Sequence, residues 1–413
     1  TEHFLVHFTS ELEDAAQRAA VHAESAYVRL RKHLAPPRGV IDLVVADNVD
    51  YANGYATPFP SNRIVIYANP PVGDEALRFV DDPLELVITH ELTHVFQLDR
   101  SGGIWRFFRR IFGRDPSYFP IAWQPSWLVE GVAVYYETLL TGSGRLVGSN
   151  HRMIARTAAG ARDFPRIDEL SLAAPHFPYG YRAYAYGSLF IDYVGRTYGD
   201  SSIRAMVESS SRGWIPLWLN WPARRALRTT FTAAYTRWAD SQLAAEPPVA
   251  STDLSGWTDL TTHGAYANVP RWLDDSTLVY DGTSGKESYA AYQLRLRTDT
   301  TNLGPGSWIL GLGSGSSAVV RSKLARRTTR SPNVALPNGD LLHSQLEFGN
   351  PYDLRSDLYV DRQRGGLRRL TRGARLSHPD VRRDGLIVAM QTLAAATRLS
   401  LVSMDGRQIT PLT

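Results

Sequence analysis

Apolar and polar residues alternate over Phe4–His7 in the two-residue rhythm of a strand. From residue 11 to 33 the apolar positions Ala15, Ala19, Ala23, Tyr27 and Leu30 return every third or fourth residue, which predicts a helix. Residues 41–46 and 63–68 read as further strands, separated by the turn chemistry of Asn53-Gly54 and of residues 58–62. A long apolar stretch, 84–98, then follows Asp82-Pro83-Leu84-Glu85. An N-cap Asp, a Pro in the first turn and a Glu three residues on predict a helix start there.

From residue 121 to about 245 the pattern is mainly helical, with helices expected at 127–140, 184–198 and 223–243. Pro247-Pro248 marks a linker. The grammar then changes to short strands and turns. Three stretches share a loose pattern: Pro270-Arg-Trp272 before Leu278-Val279-Tyr280, Pro332-Asn-Val334 before Leu341-Leu342, and Pro379-Asp-Val381 before residues 386–389. Two of them finish alike, at Leu370-Thr371 and Leu412-Thr413. This period predicts about three four-stranded propeller blades. Three blades do not close a ring, so the expectation is that the natural protein continues beyond Thr413. The division expected is an α/β part over 1–120 carrying the apolar helix, a helical part over 121–246, and a partial β-propeller over 250–413. The fold class is α+β followed by an all-β region.

Inside the apolar helix lies His90-Glu91-Leu-Thr-His94. Residues i and i+4 share a helix face, so both imidazoles can reach one metal ion, and Glu91 can reach a water bound to it. A catalytic zinc takes three protein ligands and an open position. The chain has no Cys, so the third ligand is a His or a carboxylate, and disulfides are excluded. The metzincin extension needs Gly and His where this chain has Gln97 and Arg100. The better candidate is Glu130, which opens the next strong helix in Trp127-Leu-Val-Glu130-Gly131-Val-Ala133. The small Gly131 and Ala133 are expected to let that helix approach the metal helix. Glu137, two turns on, shares the face of Glu130 and can accept a hydrogen bond from a ligand His.

These two segments resemble the gluzincin zinc metallopeptidases, in particular the aminopeptidase N-like and peptidase MA-like domains. The resemblance covers about residues 1–245. It implies Glu130 as third zinc ligand, Glu137 behind a His, and one zinc per chain. It also implies a tyrosine hydroxyl that stabilises the tetrahedral intermediate. Tyr184-Ala-Tyr186-Gly187 matches that position, with Tyr184 the residue carried over and Tyr181 and Tyr186 its competitors. The stretch Asn53-Gly-Tyr-Ala-Thr-Pro58 fits the edge-strand region of such domains. The Gly-x-Met-Glu-Asn signature of the aminopeptidases is absent; Asn62-Arg63-Ile64 stands roughly there and supplies candidate substrate contacts. An extended substrate is expected to add as a strand to residues 63–68. With the later repeats, the whole resembles bacterial proteins that join a peptidase MA-like domain to a TolB-like propeller. That implies a periplasmic or secreted peptidase with a peptide or protein substrate, and a protein partner for the propeller. The rival readings are an aminopeptidase and a non-catalytic binding module.

Composition changes little of this. The chain of 413 residues is 43% hydrophobic and 21% charged, a globular balance. No apolar run is long enough to span a membrane. The net charge is +4, and the basic residues are almost all dispersed Arg, so no nucleic-acid footprint is read. Trp105-Arg-Phe-Phe-Arg-Arg-Ile-Phe112 is both basic and aromatic. It is expected to bury its aromatics and show its arginines to water, the alternative being a membrane surface or a lipid-like substrate. Trp214, Trp218 and Trp221 are expected to pack in a core or interface.

Overall fold

A computed structural model describes residues 1–72, 80–172, 177–248, 260–261, 266–297, 307–311, 318–362 and 364–413. The chain divides into two compact units. Residues 1–46, 51–174 and 178–251 make up the first, and 252–413 the bulk of the second.

In the first unit, β1 (Phe4–His7), β2 (Ile41–Ala46), β3 (Asn53–Thr57) and β4 (Arg63–Tyr67) form one sheet in the order β1-β2-β4-β3. β1, β2 and β4 run parallel, and β3 returns antiparallel to β4. Asn53-Gly54 is therefore the start of a strand rather than a turn, and β3 is the sheet edge. Strand β4 is internal, flanked by β2 and β3. Its backbone is already paired on both sides, so no substrate strand can add at 63–68.

Helix α1 (Glu13–Leu30) buries its alanine stripe. Helix α2 (Pro83–Leu98) starts as its sequence requires: the Asp82 carboxylate accepts from the amides of Leu84 (2.9 Å) and Glu85 (3.3 Å). From Leu86 to Gln97 nearly every α2 side chain is buried, which explains why its apolar run lacks a polar stripe.

Helices α3 (Gly103–Phe112), α4 (Ser126–Thr141), α5 (Ser149–Gly160), α6 (Arg182–Tyr198) and α7 (Asp200–Ser210) follow. The single helix expected at 223–243 is two, α8 (Asn220–Leu227) and α9 (Phe231–Ala245). Arg228 adopts a left-handed conformation and Thr230 caps α9 by accepting from the Ala233 amide, which breaks the run.

Gly131 serves a different neighbour from the one expected. A β-carbon there would sit 2.7 Å from the carbonyl oxygen of Gly187 on α6, so the glycine permits the α4–α6 crossing. No described helix is long and apolar enough to cross a membrane.

Among its described residues the second unit holds three antiparallel sheets, the first of five strands rather than the four expected and the others of four: β5 (Tyr266–Asp274) to β9 (Ala318–Arg326), β10 (Val334–Ala335) to β13 (Gly366–Arg369), and β14 (Leu376–Val381) to β17 (Ile409–Pro411). Each repeated Pro motif lies in or next to the first strand of a sheet, and its following apolar run is the second strand. Leu342, Leu358 and Val360 pack with Leu376, Ile387 and Val402 to join the last two sheets. Among the described residues the sheets do not close into a ring.

Candidate metal centre

His90 and His94 lie one helical turn apart on α2, and Glu130 reaches them from the first turns of α4. The Nε2 atoms of the two histidines are 3.1 Å apart. Oε2 of Glu130 lies 3.3 Å from the first and 3.4 Å from the second. Four ligands placed tetrahedrally at about 2.05 Å from a zinc ion stand about 3.3 Å from one another. The three donors thus match three corners of such a site. Glu130 Oε2 is buried with no hydrogen-bond partner, as a ligand atom aimed at a cation would be. His90, His94 and Glu130 together offer one donor each within a common radius.

Glu137 is fully buried, and its Oε2 is 2.7 Å from Nδ1 of His90. That contact fixes the ring with Nδ1 protonated and Nε2 facing the other donors. Burial raises the Glu137 pKa, but the nearby Arg145 and the His90 ring outweigh it and hold the carboxyl below its ordinary value. For His90 burial favours the neutral ring, while Glu130 and Glu137 favour the charged one and bring its pKa up to about 9. Glu130, although burial raises it, is pushed strongly down by the same two histidines.

A cleft of about 520 Å³ opens on this trio, lined by Glu91, Arg145, Tyr181, Tyr184 and the edge strand β3 among others. Glu91 is nearly buried on the turn of α2 beside His90. Strand β3 approaches because Gly54 has no side chain: a β-carbon there would lie 2.8 Å from Val87 and 3.1 Å from Glu91.

Of the three candidate tyrosines, Tyr184 faces the metal donors. Its ring stacks 6.5 Å from that of His90, and burial, then the charge of Glu130, keep its hydroxyl strongly protonated. The Tyr181 hydroxyl lies 3.0 Å from Nε2 of His151. Tyr186 is buried away from the cleft against Phe164.

Asn62, Arg63 and Ile64 are not at the cleft. Asn62 is buried, donating to the Arg38 carbonyl and accepting from Arg114; Arg63 pairs within the sheet; Ile64 is in the core. The residues the sequence did not mark are Arg145, whose guanidinium lies 5.4 Å from the Tyr184 ring, and Tyr51 just before β3; Tyr55 lies in the stretch the resemblance placed at the sheet edge. Arg145 carries no motif. Only the fold of the segment after α4 brings it here.

No family model and no curated protein matches this chain. Among solved structures, TolB from Acinetobacter baumannii aligns at TM-score 0.23 and 12% identity, over 37% of this chain and 45% of that one. The alignment thus spans less than half of the TolB chain.

Proposed function

We propose that this chain is a zinc-dependent peptidase of gluzincin type, acting within peptide chains. The observation that carries the reading is the triangle of His90, His94 and Glu130 donors with Glu91 beside it. His90, His94 and Glu130 would hold the ion, and Glu137 orients His90. When bound, zinc supplies an electrophile and a water of lowered pKa.

The residues of the chain do the rest. Glu91 takes a proton from the attacking water and passes it to the leaving amine. Tyr184 donates a hydrogen bond to the carbonyl oxygen as negative charge develops on it. The free edge of β3 offers an extended peptide backbone pairing beside the cleft, in place of the internal β4. Among the described residues lining the cleft, the carboxylates are Glu91 and Glu130, both already engaged in the chemistry. Neither is left to grip a free amino terminus, which favours internal cleavage. The three sheets of the second unit fit TolB-like blades that recruit a protein partner.

The test is hydrolysis of a denatured protein and of N-blocked peptides by the full chain. Glu91→Gln is expected to keep its zinc and lose activity by at least about 100-fold. A zinc chelator abolishes the parent's activity. Undiminished hydrolysis by Glu91→Gln sinks the reading.

A further inference from the structure

Helix α3 departs in part from its expected role: Arg106 and Arg110 face water as expected, but so do several of its apolar residues. None of its residues is buried. Phe107, Ile111 and Phe112 are 58%, 57% and 62% exposed. Phe107 and Ile111 are four residues apart and share the outer face. Arg109 instead points inward: it donates to Asp99 (2.7 Å) and to the hydroxyl of Ser101 (2.8 Å), and its guanidinium lies 4.0 Å from the centre of the Phe119 ring. The neighbouring segment, tied to α3 by Gly102 N–H to the Ser211 carbonyl and Trp105 Nε1 to the Gly213 carbonyl, exposes Trp214 by 77% and Trp218 by 68%. These tryptophans are therefore not core residues.

Along one flank of the same helix lies a cavity of about 260 Å³ whose lining holds six arginines, Arg38, Arg100, Arg106, Arg109, Arg110 and Arg114, and a single carboxylate, Asp99. Arg109 and Arg114 share Asp99, and Arg100 pairs with Glu208. Arg38, Arg106 and Arg110 are exposed and make no ion pair among the described residues. A cavity so rich in guanidinium attracts an anion with several oxygens, and phosphate suits the guanidinium fork.

An exposed apolar helix face beside arginines that have no carboxylate partner among the described residues is the arrangement of an interfacial helix. We infer that α3 docks this protein on an anionic phospholipid surface, with Phe107 and Ile111 entering the acyl boundary and a lipid phosphate in the arginine cavity. The charge of the cavity selects the occupant: an apolar protein groove would cover the aromatics but leave the arginines unmatched. Trp214 and Trp218 are of the type that settles at the headgroup level. The inference stands independently of the metal centre.

The experiment is co-sedimentation of the full chain with vesicles of phosphatidylcholine, with and without about one third phosphatidylglycerol. Binding is expected to the anionic vesicles and to be at least about tenfold weaker to neutral ones. Phe107→Ser with Ile111→Ser is expected to weaken anionic binding by at least about tenfold. Arg106→Gln with Arg110→Gln reduces it toward the neutral level. All four positions are at the surface, and a circular dichroism spectrum matching the parent's verifies the fold. Inorganic phosphate at matched ionic strength leaves the bound fraction unchanged. Three outcomes overturn the proposal. One is equal binding to neutral and anionic vesicles. Another is full release by inorganic phosphate, which makes the cavity a free-phosphate site. The third is no vesicle binding, whether or not sedimentation velocity shows a dimer that the Phe107 and Ile111 changes dissociate.

Discussion

Nδ1 of His90 and Oε2 of Glu137 meet at 2.7 Å in the interior between α2 and α4. The contact ties α2 to α4, the helix that brings Glu130. Because Glu137 is fully buried, its charge is balanced locally by His90 and by Arg145, whose Nε lies 3.5 Å away.

Replacing Glu137 by Gln keeps the size of the side chain and removes the charge. His90 loses its anionic partner and the fixed ring orientation. Zinc affinity is expected to fall about 10- to 100-fold, measured by competition with a chromogenic chelator. An unchanged affinity shows that the contact does not serve the metal.

Zinc loading should depend steeply on pH. In the metal-free chain the His90 pKa is raised from 6.5 to about 9, and ligation needs the ring unprotonated at Nε2. Below about 9 the metal must displace a proton, so affinity should rise about tenfold per pH unit between 6.5 and 9 and then level off. The stability of the metal-free protein runs the other way. The raised pKa contributes stability fully present below 6.5 and lost as pH rises through about 9. Titrations of affinity and of urea midpoint against pH check both signs.

The crossing of α4 on α6 leaves no room for a side chain at Gly187, where a β-carbon would press on the Trp127 carbonyl oxygen. Gly187→Ala is expected to cost about 1–3 kcal/mol in urea unfolding of the first unit. Because α4 carries Glu130, zinc affinity should fall with it. A change below about half a kcal/mol means the helices separate freely.

In the second unit, Asp281 is buried and accepts from Nδ2 of Asn333 at 2.7 Å. Burial raises its pKa from 3.8 to about 6, against the opposing pull of Asn333 and Arg327. A raised carboxyl stabilises the fold below 3.8, and that contribution fades as pH rises through about 6. Asp281→Asn should flatten the pH dependence of the second unit's melting between pH 3.8 and about 6. An unaltered profile in the variant removes Asp281 as its cause.

Much of α2 was legible because its signals are local. The Asp82 cap, Pro83 and the spacing of His90 and His94 depend on residues within a few turns of each other. The three Pro motifs of the C-terminal region, read as marks of four-stranded blades, do each mark the start of a sheet for the same reason, but the first sheet has five strands and among the described residues no ring closes. The resemblance put the edge at residues 53–58, where β3 lies, but the strand expected to pair with substrate was misplaced, because an apolar run such as residues 63–67 marks burial on both faces, not an edge. The exposed β3, with Tyr55 and Gly54, carries a weak strand signal. The α3 stretch was read rightly for Arg106 and Arg110, which face water, and wrongly for Phe107, Ile111 and Arg109. Periodicity says which residues share a face, but not which face meets the protein, and here Asp99 drew Arg109 inward.

The sequence by itself determined the two histidines, their shared helix face and the neighbouring Glu91, since a helix sets i and i+4 side by side whatever surrounds it. It also marked Glu130 and Tyr184 as candidates. Only the tertiary structure decided that Glu130 reaches both rings, that Glu137 backs His90, and that Arg145 and β3 wall the cleft. Those relations join segments dozens of residues apart. The packing of α4 between α2 and α6 sets them, and no local pattern encodes that packing.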